Sequence, residues 1–156
     1  RYLDVDGDGI AARTLPGQSA KGAYFVRGSG HDKHGEYTED EEGYQEVVDR
    51  LVRKLETARS ALPAPVIERR EGAAAILVCL GSSDAACREA IDLLAARGLA
   101  LYLLRVRAFP FSRDVDAILT EHDIVFVVDQ NRDGQLRTLL VNETSVEKGK
   151  VRSVRH

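Results

Sequence analysis

Ala73-Ala74-Ala75-Ile76-Leu77-Val78-Cys79-Leu80, followed at once by Gly81-Ser82-Ser83-Asp84, is the stretch on which the fold turns. A continuous apolar run closed by a Gly-Ser-Ser turn reads as a strand covered on both faces. The residues beyond the turn, 84–97, read as a helix with Ala86, Ala90, Leu93 and Leu94 inward, and Gly98 sits where a helix C-cap belongs. Working outward, 99–106 reads as a second strand, 113–122 as a short helix and 124–128 as a third strand. Residues 134–143 read as a last helix, and 151–155 as an edge strand. Strands and helices alternating in short order imply right-handed crossovers and a parallel sheet with helices on both faces. The expected fold class is therefore α/β, a Rossmann-like three-layer domain with a mostly parallel sheet.

Upstream the character changes. Residues 1–65 are rich in Gly, charge and turn signals and hold one helix. Thr38 with Glu41 three residues on forms a capping box. Tyr44, Val47, Val48, Leu51 and Leu55 then recur at helical spacing as one apolar face, opposite Asp49, Arg50, Arg53 and Glu56. Leu62-Pro63-Ala64-Pro65 stops that helix, since proline lacks the N–H and restricts the residue before it. The expected boundary is at 65/66, with the two parts packing as one unit.

The chain has 156 residues, a length for one domain, with 44% apolar and 30% charged residues and a net charge of −3. Lys and Arg are scattered among Asp and Glu without a basic stripe, which excludes nucleic acid as an expected partner. The two cysteines, Cys79 and Cys87, form no C-x-x-C pair, so an iron–sulfur or zinc site would need ligands from another chain. Free thiols fit a reducing, cytoplasmic setting. The longest apolar run is far short of the ~20 residues of a membrane helix, and no signal peptide is read, so no membrane partner is expected. The sequence starts at Arg1 and contains no Met, which is read as a domain excised or processed from a longer protein, with an upstream part expected.

Several motifs carry a chemical reading beside a plain one. Asp4-Val5-Asp6-Gly7-Asp8-Gly9 has the first three ligands and the glycine of a calcium loop, but Leu15 stands where the bidentate Glu belongs. Asp129-Gln130-Asn131-Arg132-Asp133-Gly134 repeats the near miss, with Leu140 at that position. Both are read as turns, with Asp133 as an N-cap, and no metal site is assigned. Gly7-Asp8-Gly9 also resembles the opening of a thiamine diphosphate motif. No Asn follows at the spacing that motif needs for magnesium, so the triplet is read as a turn. Gly81-Ser82-Ser83 opens a helix and makes Ser82 and Ser83 a possible anion site, with an ordinary capped turn as the alternative. His31-Asp32-Lys33-His34, flanked by Gly28, Gly30 and Gly35, offers imidazole and carboxylate for a metal or a proton, or is a solvated loop. No complete catalytic set is found in the chain.

Short motifs in one order carry a resemblance over nearly the whole length. They are Asp8-Gly9-Ile10 with Arg13-Thr14-Leu15-Pro16-Gly17, Gly28 to Asp32 with Gly35, Thr38-Glu39-Asp40, and the helix around Tyr44, Arg50 and Lys54. Pro63-Ala64-Pro65, Gly81-Ser82-Ser83, Pro110-Phe111 and Val128 to Asn131 with Gly134-Gln135-Leu136 complete the set. With these the chain resembles the C-terminal part of the α subunit of 2-oxoacid:ferredoxin oxidoreductases of the 2-oxoglutarate type. The resemblance implies a transketolase C-terminal-like domain with a structural and assembly role, inactive in isolation. Residues 1–65 would then join an upstream thiamine-contacting domain to it. It implies an enzyme that decarboxylates a 2-oxoacid, with coenzyme A as acyl acceptor and ferredoxin as electron acceptor. Thiamine diphosphate, magnesium and an iron–sulfur cluster would sit mainly on the β subunit, with none held by this domain alone. It also implies that the loop bearing His31 and Asp32 lies near the subunit junction. This loop is expected to face the active-site cleft, with Asp32, repelled by a substrate carboxylate, holding a Lys or Arg instead. The competing readings are a stand-alone anion- or nucleotide-binding module, and the C-terminal domain of another thiamine diphosphate enzyme.

Overall fold

The computed structural model describes residues 2–15, 17–23 and 28–155. The chain divides into two compact units, Arg1–Ala61 and Leu62–His156.

The second unit holds a five-stranded sheet. Its elements run β1 (Val66–Glu68), β2 (Ala75–Leu80), α2 (Ser83–Ala95), β3 (Leu101–Val106), α3 (Arg113–Thr120), β4 (Val125–Asp129), α4 (Gln135–Glu143) and β5 (Val151–Arg155). The strand order is β1-β3-β2-β4-β5. β3, β2, β4 and β5 are mutually parallel, and β1 pairs antiparallel with β3.

The alternation of side chains along β2 builds two cores. Ile76 and Val78 point to one face, where α3 brings Val115, Ile118 and Leu119 and α4 brings Leu136 and Leu140. Leu77 and Cys79 point to the other, against Cys87 and Ile91 of α2. This two-faced burial is why the run is apolar without a break, and the expected three-layer α/β architecture is what the structure has.

Three details correct the sequence reading. α2 turns Ser83, Cys87 and Ile91 inward, while Ala86 and Leu93 are exposed. Its cysteine and isoleucine fit the space beside Leu77 and Leu103 better than the expected alanines would fill it. Strand β1 went unread because only three residues separate Pro65 from the Arg69-Arg70 pair. α4 is not capped by Asp133, which pairs with Arg132. Asp129 Oδ2 instead accepts from Leu136 N (2.7 Å), and Asn131 Oδ1 accepts from Gln135 N (3.2 Å). Gly98, by contrast, has the left-handed φ of a C-cap (+81°), and Leu99 N bonds back to Leu94 O.

The first unit is a long helix, α1 (Glu41–Ala61), with irregular chain around it. Its cap is Asp40, whose Oδ2 accepts from Gly43 N (2.7 Å), while Thr38 Oγ1 takes only Asp40 N. The buried helix residues are Val47 and Arg50. Tyr44, Leu51 and Leu55 of the expected apolar face are 54%, 43% and 50% exposed.

The reason is the loop before it. At Gly9 the backbone comes so close to α1 that an added Cβ would sit 2.2 Å from Lys54 N. Arg50 Nη1 then donates to Gly9 O (2.8 Å), and Thr57 Oγ1 to Asp8 O (2.6 Å). Backbone contact with the loop, rather than apolar side chains, selects the face that α1 buries.

Candidate functional site

The loop at 28–37 is held by its own hydrogen bonds. His31 and Tyr37 form an isolated antiparallel bridge. Asp32 Oδ1 accepts from His34 N (2.8 Å) and Glu36 N (2.9 Å), and Gly35, at φ +81°, closes the turn onto Asp32 O. The Glu36 N–H bond in the first place, with those of His34 and Gly35 and the nearby His34 charge, holds the Asp32 carboxyl below its usual range, against a smaller opposing effect of burial. Among the described residues Asp32 takes no Lys or Arg. Its carboxylate shapes the loop, and Lys33 pairs with Glu46 (3.1 Å). His31 stacks on Tyr2, with ring centroids 4.4 Å apart and planes 21° from parallel, and its Nδ1 lies 2.8 Å from Asp32 O. The imidazole is thereby fixed in orientation.

Beside this loop, still within the first unit, lies a cavity of about 470 Å3. Tyr2, Asp4, Lys33, Glu46, Arg50 and Arg53 line it. Asp4 Oδ2 accepts from Gly9 N (3.0 Å) and lies 3.4 Å from Arg53 Nη2. Asp4, Asp6 and Asp8 each offer a carboxylate oxygen, all within 4.8 Å of one another. Sequence reasoning found these three residues and set them aside for want of the twelfth-position Glu. It did not find Arg50, placed on the polar face by periodicity yet buried in the structure.

Ser82 and Ser83 stand at the C-terminal end of β2. There α2 leaves toward one face of the sheet and the chain after β4 leaves toward the other, the kind of crevice where open α/β sheets take ligands. Ser82 Oγ reaches Gln130 Oε1 at 3.5 Å and makes no cap bond, and Ser83 is buried. Asp84, in the first turn, pairs with Arg88 Nε (3.1 Å) and Arg105 Nη1 (3.4 Å), so a negative charge already stands at this helix N-terminus.

Cys79 and Cys87 are both buried. Burial, reinforced by the neighbouring Cys87 thiol, pushes Cys79 up to about 12. Two protonated core thiols do not fit an iron–sulfur cluster, which takes four thiolates. No described helix is long and apolar enough to cross a membrane.

A doubly wound parallel sheet with an antiparallel edge strand, preceded by a glycine-rich segment and one long helix, places the chain in the α/β class. No family model matches it. It is 30% identical over 152 residues to subunit alpha of 2-oxoacid:ferredoxin oxidoreductase 2 from Aeropyrum pernix, an alignment that takes in 94% of this chain and 23% of that subunit. Its fold matches 2-oxoglutarate:ferredoxin oxidoreductase from Magnetococcus marinus, a structure with 2-oxoglutarate, coenzyme A and succinyl-CoA bound. The TM-score is 0.80 at 22% identity, over 100% of this chain and 27% of that one. The chain is thus similar to one segment of a 2-oxoacid:ferredoxin oxidoreductase α subunit, the resemblance its motifs carry, and spans about a quarter of the length of these relatives.

Proposed function

We propose that this chain is the C-terminal structural and assembly domain of the α subunit of a 2-oxoacid:ferredoxin oxidoreductase. The enzyme would oxidatively decarboxylate a 2-oxoacid, 2-oxoglutarate in the first instance, with coenzyme A to acyl-CoA, CO2 and reduced ferredoxin. The observation that carries the reading is the 30% identity to an α subunit running through 94% of the chain. Thiamine diphosphate would supply the electron sink for decarboxylation. That cofactor, its magnesium and the iron–sulfur cluster are assigned mainly to the β subunit, in keeping with the two core thiols here. The setting is cytoplasmic.

In this reading the chain's own residues act by holding surfaces in place. Tyr44, Val48, Leu51 and Leu55 recur at intervals of four, three and four along α1, an apolar seam of the kind that takes a second helix. The upstream α-subunit domain is its expected occupant, since the relatives are about four times as long. His31, held on Tyr2, is proposed to face the active-site cleft, with Asp32 setting the loop that presents it.

Co-expression with the β subunit from the same genome tests assembly, and calorimetry of the isolated chain with thiamine diphosphate and magnesium tests the division of cofactors. Retention of the β subunit and no micromolar cofactor binding are expected. Micromolar binding would overturn the division. In the assembled enzyme, His31→Ala is expected to lower kcat/KM about ten- to a hundredfold with assembly intact. Unchanged kinetics would return the loop to a surface role.

The crevice position of Ser82 favours a second reading, an anion-binding module. It requires phosphate to bind the chain alone and Ser82→Ala to weaken it.

A further inference from the structure

The loop Asp4 to Ile10 holds an oxygen that the protein leaves without a partner. Asp4 is at the first position of the calcium-loop pattern, and its side chain is only 9% exposed. Its Oδ2 is used twice, by Gly9 N at 3.0 Å and by Arg53 at 3.4 Å. Its Oδ1 is buried and has no hydrogen-bond partner. A buried carboxylate oxygen left unpaired is costly, more so than a neutral acceptor. One oxygen of this carboxylate lies within 4.8 Å of a carboxylate oxygen from each of Asp6 and Asp8. Arg53 is the one cation bonded to the three among the described residues. Acidic residues gather on many surfaces without consequence. Here one of the three has a buried oxygen that lacks a donor, which is the condition a bound cation relieves.

We propose that Asp4, Asp6 and Asp8 form a site for a hard divalent cation of the calcium class. The arrangement reproduces the logic of a calcium loop. In it the first carboxylate gives one oxygen to the metal and the other to the N–H of the sixth residue, which here is Gly9. Gly9 has φ +81° and lies where any Cβ would strike the α1 backbone, so the loop is fixed against the helix in this shape. Position seven, which supplies a backbone carbonyl in such loops, is Ile10. The Asp8 and Gly9 carbonyls are already taken by Thr57 and Arg50, which leaves the acidic side chains as the donors. Leu15 in place of the bidentate Glu removes two oxygens and sets the affinity low, at the ~10⁻⁴–10⁻³ M end of the range. The cation's role is to tie residues 4–10 together. The inference is independent of the proposed enzyme activity.

The test is calcium titration by calorimetry of the intact, chelator-treated protein in its native assembly, wild type against Asp6→Ala. Asp6 is exposed, so its removal leaves the fold in place. The expected result is one calcium ion per chain that Asp6→Ala weakens at least tenfold, with far-UV circular dichroism unchanged. Asp4→Asn should abolish it. Because Asp4 also holds Gly9 N, that variant is read only if its circular dichroism matches wild type, and Asp6→Ala decides by itself. Calcium uptake identical in wild type and Asp6→Ala would overturn the site, as would no uptake at about ten times the upper end of that range.

Discussion

At Gly9 an added Cβ would lie 2.2 Å from Lys54 N and 2.7 Å from Arg50 O, on a backbone with φ +81°. Neither partner is the movable end of a side chain, so Gly9→Ala must push the loop off α1. We expect it to cost about 1–3 kcal/mol or more, read as a lower melting temperature and faster amide exchange in 41–61. Cys79 makes the opposite case, a residue defined by exclusion. Its thiol is raised from 9.0 to about 12, chiefly by burial. The folded state therefore favours the protonated form. That contribution to stability is complete below pH 9 and is lost as pH rises toward 12. Ellman's reagent should leave Cys79 and Cys87 unmodified in native protein at pH 8 and react with both after unfolding. Fast native labelling of Cys79 would contradict the packing. Cys79 was legible as a core position because its neighbours on both sides are apolar. Gly9 was legible only as a turn, because its clash partners lie more than forty residues away in sequence.

Among the elements, α1 shows how far periodicity carries. The spacing of Tyr44, Val47, Val48, Leu51 and Leu55 identifies a helix and an apolar stripe. It does not say what the stripe meets. Within the first unit Val47 and Arg50 are buried, and Tyr44, Leu51 and Leu55 stay exposed. Leu51→Gln with Leu55→Gln should therefore change the stability of the chain by no more than about 0.5 kcal/mol per site, the ordinary range for surface positions. If the proposed assembly role holds, it should still weaken retention of an upstream α-subunit domain in a pull-down. A large stability loss with unchanged retention would show the seam to be internal. At α4 the cap comes from Asp129, seven residues before the N–H it accepts, outside any local capping pattern. Asp129→Ala should cost about 1–2 kcal/mol by chemical denaturation, because it removes a cap and leaves a buried N–H unpaired.

Across the whole molecule the buried apolar side chains concentrate in the sheet of the second unit, with Ile76, Val78, Leu104, Val125 and Val127 at or near zero exposure. Leu104→Ala at its centre should cost about 2–5 kcal/mol in equilibrium unfolding. Native-state amide exchange should be slowest in β2, β3 and β4 and fast in 2–15, where the chain is bound to α1 by a few polar contacts. The sequence by itself determined the α/β class and the parallel sheet, because burial on both faces demands an uninterrupted apolar run and each crossover demands a helix. It also carried the similarity to an α subunit, through short motifs in a fixed order. Tertiary structure alone decided which side of α1 is buried, that Asp32 serves its own loop, and that Asp4, Asp6 and Asp8 bring carboxylate oxygens within 4.8 Å of one another. Those outcomes depend on where backbone from distant parts of the chain comes within a few ångströms, and one-dimensional spacing does not encode such distances.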